Sequence, residues 1–317
     1  VTGVSGEQAV RGPERYRGFA AYLRERFGGP TRRVSLAAGF SCPNRDGTLS
    51  ADGCIFCRPE SYTPFRSEPL PPLTEQLAQG IRRGQARGCR FFLAYFQPFS
   101  NTYGPLPELK AAYDVVRRFP EVRGLAIGTR PDCVNEEILS LIAGYAPAFE
   151  VWMEYGLQSI HDRTLERIHR GHRARDFLEA VALTRRHPVI RICAHVILGL
   201  PGETEEQERE TAETLARLRL EGVKLHPLHV VSGTSLENEY REGRYQPLSQ
   251  AEYVRRVVRF LERLWPQTVI QRLTADCAGP LLVAPGWLSD KMKIIRLIQA
   301  RLEEEDTWQG KYYGPLK

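Results

Sequence analysis

The stretch Gly39-Phe-Ser-Cys42-Pro-Asn-Arg-Asp-Gly-Thr-Leu-Ser-Ala-Asp-Gly-Cys54-Ile-Phe-Cys57 carries three of the chain's 7 cysteines. Eleven residues separate the first pair and two separate the last. Three thiolates on one loop can hold three corners of a cuboidal [4Fe–4S] cluster and leave one iron open. Zinc is the alternative, since a structural zinc site takes a fourth ligand, commonly a nearby Cys or His. None follows locally: Cys89, Cys133, Cys193 and Cys277 stand apart, so a zinc knuckle would need a distant residue to complete it. The first thirty residues hold no compact apolar segment of the secretory kind. An odd cysteine count with a Cys-x-x-Cys pair then favours metal ligation over a disulfide framework, in a reducing cytoplasm.

Outward from the loop, strand-like and helical stretches alternate. Strands are expected at 33–37, 91–96, 124–127, 151–157, 189–198 and 223–231, several of them near-continuous apolar runs. Helices are expected at 73–87, 107–118, 135–145, 162–169, 176–186 and 204–220. Six strand–helix units point to a parallel α/β sheet, too few for a complete eight-stranded barrel. A partial barrel and an open doubly wound sheet both fit. After 231 the rhythm changes. Ser249-Gln-Ala-Glu252 is a capping box opening a helix with an apolar stripe, followed by a strand near 268–273 and a helix near 289–302. The organisation expected is an N-terminal segment (1–30), a barrel (31–231) and an α/β extension packed on it (232–317).

The cysteine loop after a first strand in this βα pattern resembles the radical S-adenosylmethionine (SAM) superfamily. Its widened spacing is similar to the branch that contains the Elongator catalytic subunit and related bacterial proteins. Gly128-Thr-Arg130-Pro-Asp132, Glu154-Tyr-Gly-Leu-Gln158-Ser159 and Gly199-Leu-Pro-Gly-Glu203-Thr match that branch. Ala38-Gly-Phe-Ser-Cys-Pro-Asn-Arg-Asp-Gly and Lys224-Leu-His-Pro-Leu-His-Val-Val resemble landmarks of bacterial members implicated in maturing the wobble uridine of tRNA. The resemblance spans roughly residues 30–310, with no room for the acetyltransferase half of the Elongator type.

The resemblance implies a partial (β/α)6 radical SAM barrel with a C-terminal extension, and a [4Fe–4S] cluster on Cys42, Cys54 and Cys57. It implies one-electron cleavage of SAM to a 5′-deoxyadenosyl radical that removes hydrogen from an unactivated carbon. Candidate SAM contacts follow the strand ends: Gln97, Arg130, Glu154, Gln158 and Gly199. Each has a plainer reading as barrel packing or as a turn. His195, His226 and His229 are candidate lining residues, and Cys193 and Cys277 read as small core hydrophobes. The implied reaction converts a 5-carboxymethylaminomethyl side chain to 5-aminomethyl. The implied partners are tRNA and an electron donor such as flavodoxin or ferredoxin.

Charge bears on the partner. The chain holds 44 Lys+Arg against 38 Asp+Glu, a net +6 that needs no nucleic acid by itself. Its distribution is segregated: residues 76–107 lack acid and include Arg82, Arg83, Arg87 and Arg90, and 161–175 is rich in arginine and histidine. Arg163, Arg167 and Arg170, at helical spacing, are the candidate phosphate contacts. Trp308, Tyr312 and Tyr313 could stack bases or pack on the barrel. No apolar run is long enough to span a membrane. Two rival functions stay open: a radical enzyme acting on a small metabolite, and a metal-stabilised RNA-binding module.

Overall fold

A computed structural model describes residues 14–314 except 64, 66–68, 276 and 278, so only residues 14–30 of the expected N-terminal segment are described. Seven parallel strands form one sheet: β1 (Thr31–Leu36), β2 (Phe91–Phe96), β3 (Val122–Thr129), β4 (Glu150–Gln158), β5 (Ile190–Leu198), β6 (Gly222–Pro227) and β8 (Val269–Arg272). They lie side by side in chain order. A doubly wound sheet reverses its order at a switch point and carries helices on both faces. An order that never reverses, joined by right-handed crossovers, gathers the helices on one face and curls around the other. The fold is a partial α/β barrel, open between β1 and β8.

Alternation along the strands sorts the side chains. Val34, Leu36, Phe92, Phe96, Leu125, Ile127, Val151, Met153 and Ile192 face the helices and share their core. That core takes its helical half from α2 (Leu73–Gln85), α3 (Leu106–Tyr113), α4 (Glu136–Ala143), α6 (Ala174–Thr184), α7 (Glu205–Arg217), α9 (Gln250–Leu261) and α10 (Lys291–Glu304). The expected capping box opens α9: the Ser249 hydroxyl accepts from the Glu252 amide, and the Glu252 carboxylate answers the Ser249 amide.

The inward positions form a separate interior. At the amino ends of the strands it is plugged by α1 (Phe19–Phe27), whose Phe19 and Tyr22 rings each meet Trp152 edge-on at 5.9 Å. Leu93, Ala126, Cys193 and Val269 complete this floor. The chain entering α1 also bonds to the β8 edge, where the Ile270 amide donates to the Arg17 carbonyl at 2.8 Å.

Two expectations about the strands need correction. The sixth strand stops at Pro227 and resumes as β7 (Val230–Val231), which pairs antiparallel with β9 (Leu282–Ala284) in a sheet of its own. The strand expected near 268–273 pairs with β6 and becomes the seventh of the barrel. Beyond α10 the chain returns under the barrel floor, where Gln309 Nε2 donates to the carbonyls of Thr268 and Trp265 at 2.8 and 3.0 Å. Trp308 and Tyr312 therefore lie at the amino ends of the strands, away from the cysteine loop.

Candidate active site

The loop after β1 folds on itself before it meets the barrel. The Cys42 carbonyl accepts from the Arg45 and Asp46 amides at 2.8 and 3.1 Å, and the Cys54 carbonyl from the Cys57 amide at 2.9 Å. Arg45 Nη1 donates across the loop to the Cys57 carbonyl at 3.1 Å. Ile55 is the anchor, 3% exposed among Leu165, Ile168, Ile197, Leu228 and Leu236. Its amide donates to the Ile168 carbonyl at 3.2 Å and its carbonyl accepts from the Leu236 amide at 2.9 Å. Thus held, Cys42, Cys54 and Cys57 all line one cavity at the carboxyl ends of the strands. Cys89, Cys133, Cys193 and Cys277 do not line it, and none of the seven cysteines is in a disulfide.

The residues around the three sulfurs fit an iron–sulfur cluster. Asn44 Nδ2 and Arg170 Nη1 stand 3.5 and 3.7 Å from Cys54 Sγ, and the Tyr62 hydroxyl 3.6 Å from Cys57 Sγ. Donors aimed at sulfur favour thiolates, the ligand form. Burial and the neighbouring Cys54 thiol push Cys57 up to about 11, so three thiolates here require a cationic partner.

The arginine-rich stretch turns out to be the seat of this loop. Helix α5 (Asp162–Arg167) ends before Arg170, so Arg163, Arg167 and Arg170 do not share one helical face. Arg163 is exposed. Arg167 donates through both terminal nitrogens to the Glu239 carboxylate, at the start of the turn closing helix α8 (Ser235–Arg241). Arg170 is 8% exposed and turns inward, Nη2 donating to the Gly156 carbonyl at 2.8 Å. Asn44 Nδ2 reaches the His169 carbonyl at 2.7 Å. Gly171, at φ 72°, gives Asn44 its room: the Asn44 Oδ1 atom lies 2.6 Å from where a Cβ would stand. Arg82, Arg83, Arg87 and Arg90 do not extend this field, because they end α2 and lead into the amino end of β2, at the opposite end of the barrel.

Of the candidate SAM contacts, Gln97, Arg130, Glu154 and Gln158 line the cavity and Gly199 does not. Gly199 is a packing position: its amide donates to Glu208 at 2.8 Å, its carbonyl accepts from Tyr245 at 3.1 Å, and Leu248 covers it. Arg130 is 2% exposed and largely committed. It forks onto the Asp132 carboxylate at 2.9 and 2.7 Å and donates to the Arg170 carbonyl at 2.7 Å. Gln97 accepts from the Ser35 hydroxyl at 3.0 Å. Gln158 sits at φ 76°, a left-handed backbone rare for a side-chain-bearing residue, at the irregular end of β4.

Deeper in the barrel, inward residues from four other strands converge on Glu154. Lys224 Nζ pairs with Glu154 Oε2 and donates to the Tyr95 hydroxyl at 3.1 Å. His195 Nε2 lies 3.0 Å from the same carboxylate oxygen, and Arg33 Nη1 lies 3.8 Å from the other. Burial alone would raise the Glu154 pKa; Lys224, Arg33 and His195 override it and hold the carboxyl well below its ordinary range. Burial and then Lys224 bring His195 down to about 4, so the ring is neutral and its Nε2–H donates to Glu154. Ligand atoms of Glu154, Cys193 and His195 lie within 4.8 Å of one another, yet the cations on that carboxylate leave no place for a metal ion. Two glycines line the cavity above and let their neighbours close in. A Cβ on Gly156 would stand 2.6 Å from Arg170 Nη2, and one on Gly128 3.1 Å from the Phe96 carbonyl.

Sequence reasoning missed Arg33, Tyr95, Asn44, Tyr62 and Arg272 and took Lys224 only as a landmark. The signal for Lys224 was present: Val223-Lys-Leu-His226 alternates apolar with basic in a strand whose apolar side meets the helices.

Residues 42–215 match the radical SAM superfamily and residues 220–304 the radical SAM C-terminal domain. The chain belongs to the radical SAM superfamily, in its Elongator-like branch, and is an enzyme whose cofactors are a [4Fe–4S] cluster and SAM. It is 35% identical over 305 residues to the protein YtqA of Bacillus subtilis, covering 96% of this chain and 94% of that one. It is 28% identical over 197 residues to the tRNA uridine(34) acetyltransferase of Dehalococcoides mccartyi, covering 60% of this chain and 41% of that one. The archaeal Elp3 of Methanocaldococcus infernus, lacking residues 1–46, shares the fold with a TM-score of 0.66 at 15% identity, over 88% of this chain and 64% of that one. Among the described residues no helix is long and apolar enough to cross a membrane.

When bound, the cluster and SAM supply a radical able to take a hydrogen atom from an unactivated carbon. Cys42, Cys54 and Cys57 would hold the cluster, with Asn44 and Arg170 directed at the Cys54 sulfur and Tyr62 at that of Cys57. The protein's own work is orientation and exclusion of water: Ile55 fixes the loop, and Gly156 lets Arg170 reach its carbonyl.

Proposed function

We propose that this enzyme acts on the wobble uridine of tRNA, converting a 5-carboxymethylaminomethyl side chain to 5-aminomethyl. The hydrogen taken is one on the carbon next to the side chain's nitrogen; with SAM as the net two-electron oxidant, that C–N bond would be oxidised to C=N, which water splits into the 5-aminomethyl amine and the two-carbon fragment as glyoxylate. The observation that carries this reading is that 60% of the chain aligns, at 28% identity over 197 residues, with a relative named for uridine 34 of tRNA. The location of basic residues supports it. Arg163 is exposed on α5, directly after β4 and beside the seat of the cysteine loop, where a phosphate could meet it as the base enters. Residues 46–49 of the cysteine loop are exposed and offer the docking point for an electron carrier such as flavodoxin or ferredoxin. Such partners place the reaction in the cytoplasm. The test is the nucleoside profile of tRNA from cells with and without the protein. Accumulation of 5-carboxymethylaminomethyluridine at the expense of 5-aminomethyluridine is expected in its absence; an unchanged profile rejects the tRNA reading in favour of a small-molecule substrate.

A further inference from the structure

The cavity has two poles of different chemistry. Among the described residues lining it, Glu154 is the one carboxylate, against Arg45, Arg130, Arg170, Lys224 and Arg272. Three of those cations belong to the cysteine loop and its seat: Arg45 bonds the Cys57 carbonyl, Arg130 is held by Asp132, and Arg170 spans the Gly156 carbonyl and Cys54 Sγ. Lys224 on β6 and Arg272 on β8 stand on the far wall. Glu154 already faces Arg33 as well. Lys224 has three ammonium protons, of which Glu154 and the Tyr95 hydroxyl take two. His226, the next inward residue on β6, lines the same wall with an Nε2 atom that meets no partner. Burial, followed by the positive charges beside them, holds Lys224, Arg272 and His226 below their ordinary pKa values. Lys224 and Arg33 share the single carboxylate of Glu154, and a buried cation in excess of its counter-charge is unfavourable unless an anion enters.

We propose that this far wall is a binding site for a carboxylate on the substrate, with Lys224 as the ion-pair partner and His226 Nε2 as a second donor. The proposal rests on the reading above, because the carboxymethylaminomethyl group ends in such a carboxylate. Anchored at Lys224, its remaining atoms extend back toward the cysteine loop through the cavity that Gly128 and Gly156 line. The 5-aminomethyl product has lost the anchor, so the site favours substrate over product.

The probes are 5-carboxymethylaminomethyluridine and its uncharged glycinamide analogue. Their binding to the cluster-reconstituted full chain with SAM present is measured by equilibrium dialysis. The acid is expected to bind about thirtyfold tighter than the amide, the scale of one buried charge pair. Lys224→Met should abolish that preference, and Lys224→Arg should retain much of it, with SAM affinity unchanged in both. His226→Leu leaves the Lys224–Glu154 pair intact and should reduce the preference severalfold, which guards against misfolding of the Lys224 variant. Three results overturn the proposal: no preference in the wild type, including binding of neither probe; a preference that survives both Lys224→Met and His226→Leu; or a SAM affinity that falls in step with it. A Lys224-dependent preference alongside an unchanged tRNA profile would reject the tRNA reading and leave the carboxylate site standing for a smaller acid.

Discussion

Two glutamates on β4, four residues apart and both turned into the barrel, sit in surroundings built from the same parts. Glu150 accepts from Tyr22, from Trp152 Nε1 at 3.0 Å and from Arg26 Nε at 2.5 Å, with Arg191 3.4 Å away. Glu154 has Lys224, His195, Arg33 and, through Lys224, Tyr95. Glu150 is roofed by Trp152 and the rings of α1, and its charge is spent on closing the floor. Glu154 keeps Oε1 without a hydrogen bond, and Gly156 rather than a second tryptophan stands above it. A buried carboxylate–cation cluster is therefore structural or functional according to the size of the next inward residue, not according to its own composition.

The comparison breaks first at the cysteines. Replacing Cys42, Cys54 or Cys57 with Ala should remove cluster iron and 5′-deoxyadenosine formation together. Cys193→Ala, in the floor cluster, should keep both; loss of iron in that variant would show that floor and mouth are not separable. Next come the glutamates themselves. Glu154→Gln leaves Lys224 and Arg33 without their carboxylate, which should cost about 3–5 kcal/mol of stability. It should also lower 5′-deoxyadenosine yield per folded molecule by roughly tenfold or more. Glu150→Gln should cost about 1–3 kcal/mol with unchanged yield per folded molecule. Equal effects on yield, measured beside denaturant unfolding, would erase the distinction.

A third buried carboxyl sharpens it by pH. Burial raises Glu203 to about 8 against an ordinary 4.5, while the Ser159 hydroxyl donates to it. Between those values the unfolded chain has released a proton that the folded chain keeps, so stability should fall as pH rises from about 5 to 8 and level off above. Glu203→Gln should flatten that slope; an unaltered slope places the titration elsewhere. The smallest expected effect is at the surface, where Arg163→Ala should lower the salt slope of tRNA binding by roughly 0.7 to 0.9.

How much of this could be read beforehand follows from the range of each interaction. The cysteine loop was legible because all three sulfurs lie within sixteen residues and their spacing is chemical. Strand order was not, because periodicity reports which face a residue occupies and says nothing about which strand lies beside it. Arg170 was misread for a local reason. Helical spacing from Arg163 assumed a helix through residue 170, whereas it ends at Arg167 and His169 adopts φ 52° ahead of Gly171. Residues near Tyr22 read as a separate leading segment because Trp152 and Ile270, which they meet, are far away in sequence. Lys224 shows the converse: its inward position was legible from alternation, but its partner Glu154 was not.

The most direct measurement is of hydrogen transfer itself. A tRNA carrying the wobble side chain deuterated on the carbon between nitrogen and carboxylate is incubated with reduced, cluster-loaded enzyme and SAM. Deuterium should appear in 5′-deoxyadenosine as 5-aminomethyluridine forms. Unlabelled 5′-deoxyadenosine from an unchanged tRNA, or S-adenosylhomocysteine as the only product of SAM, would contradict the account.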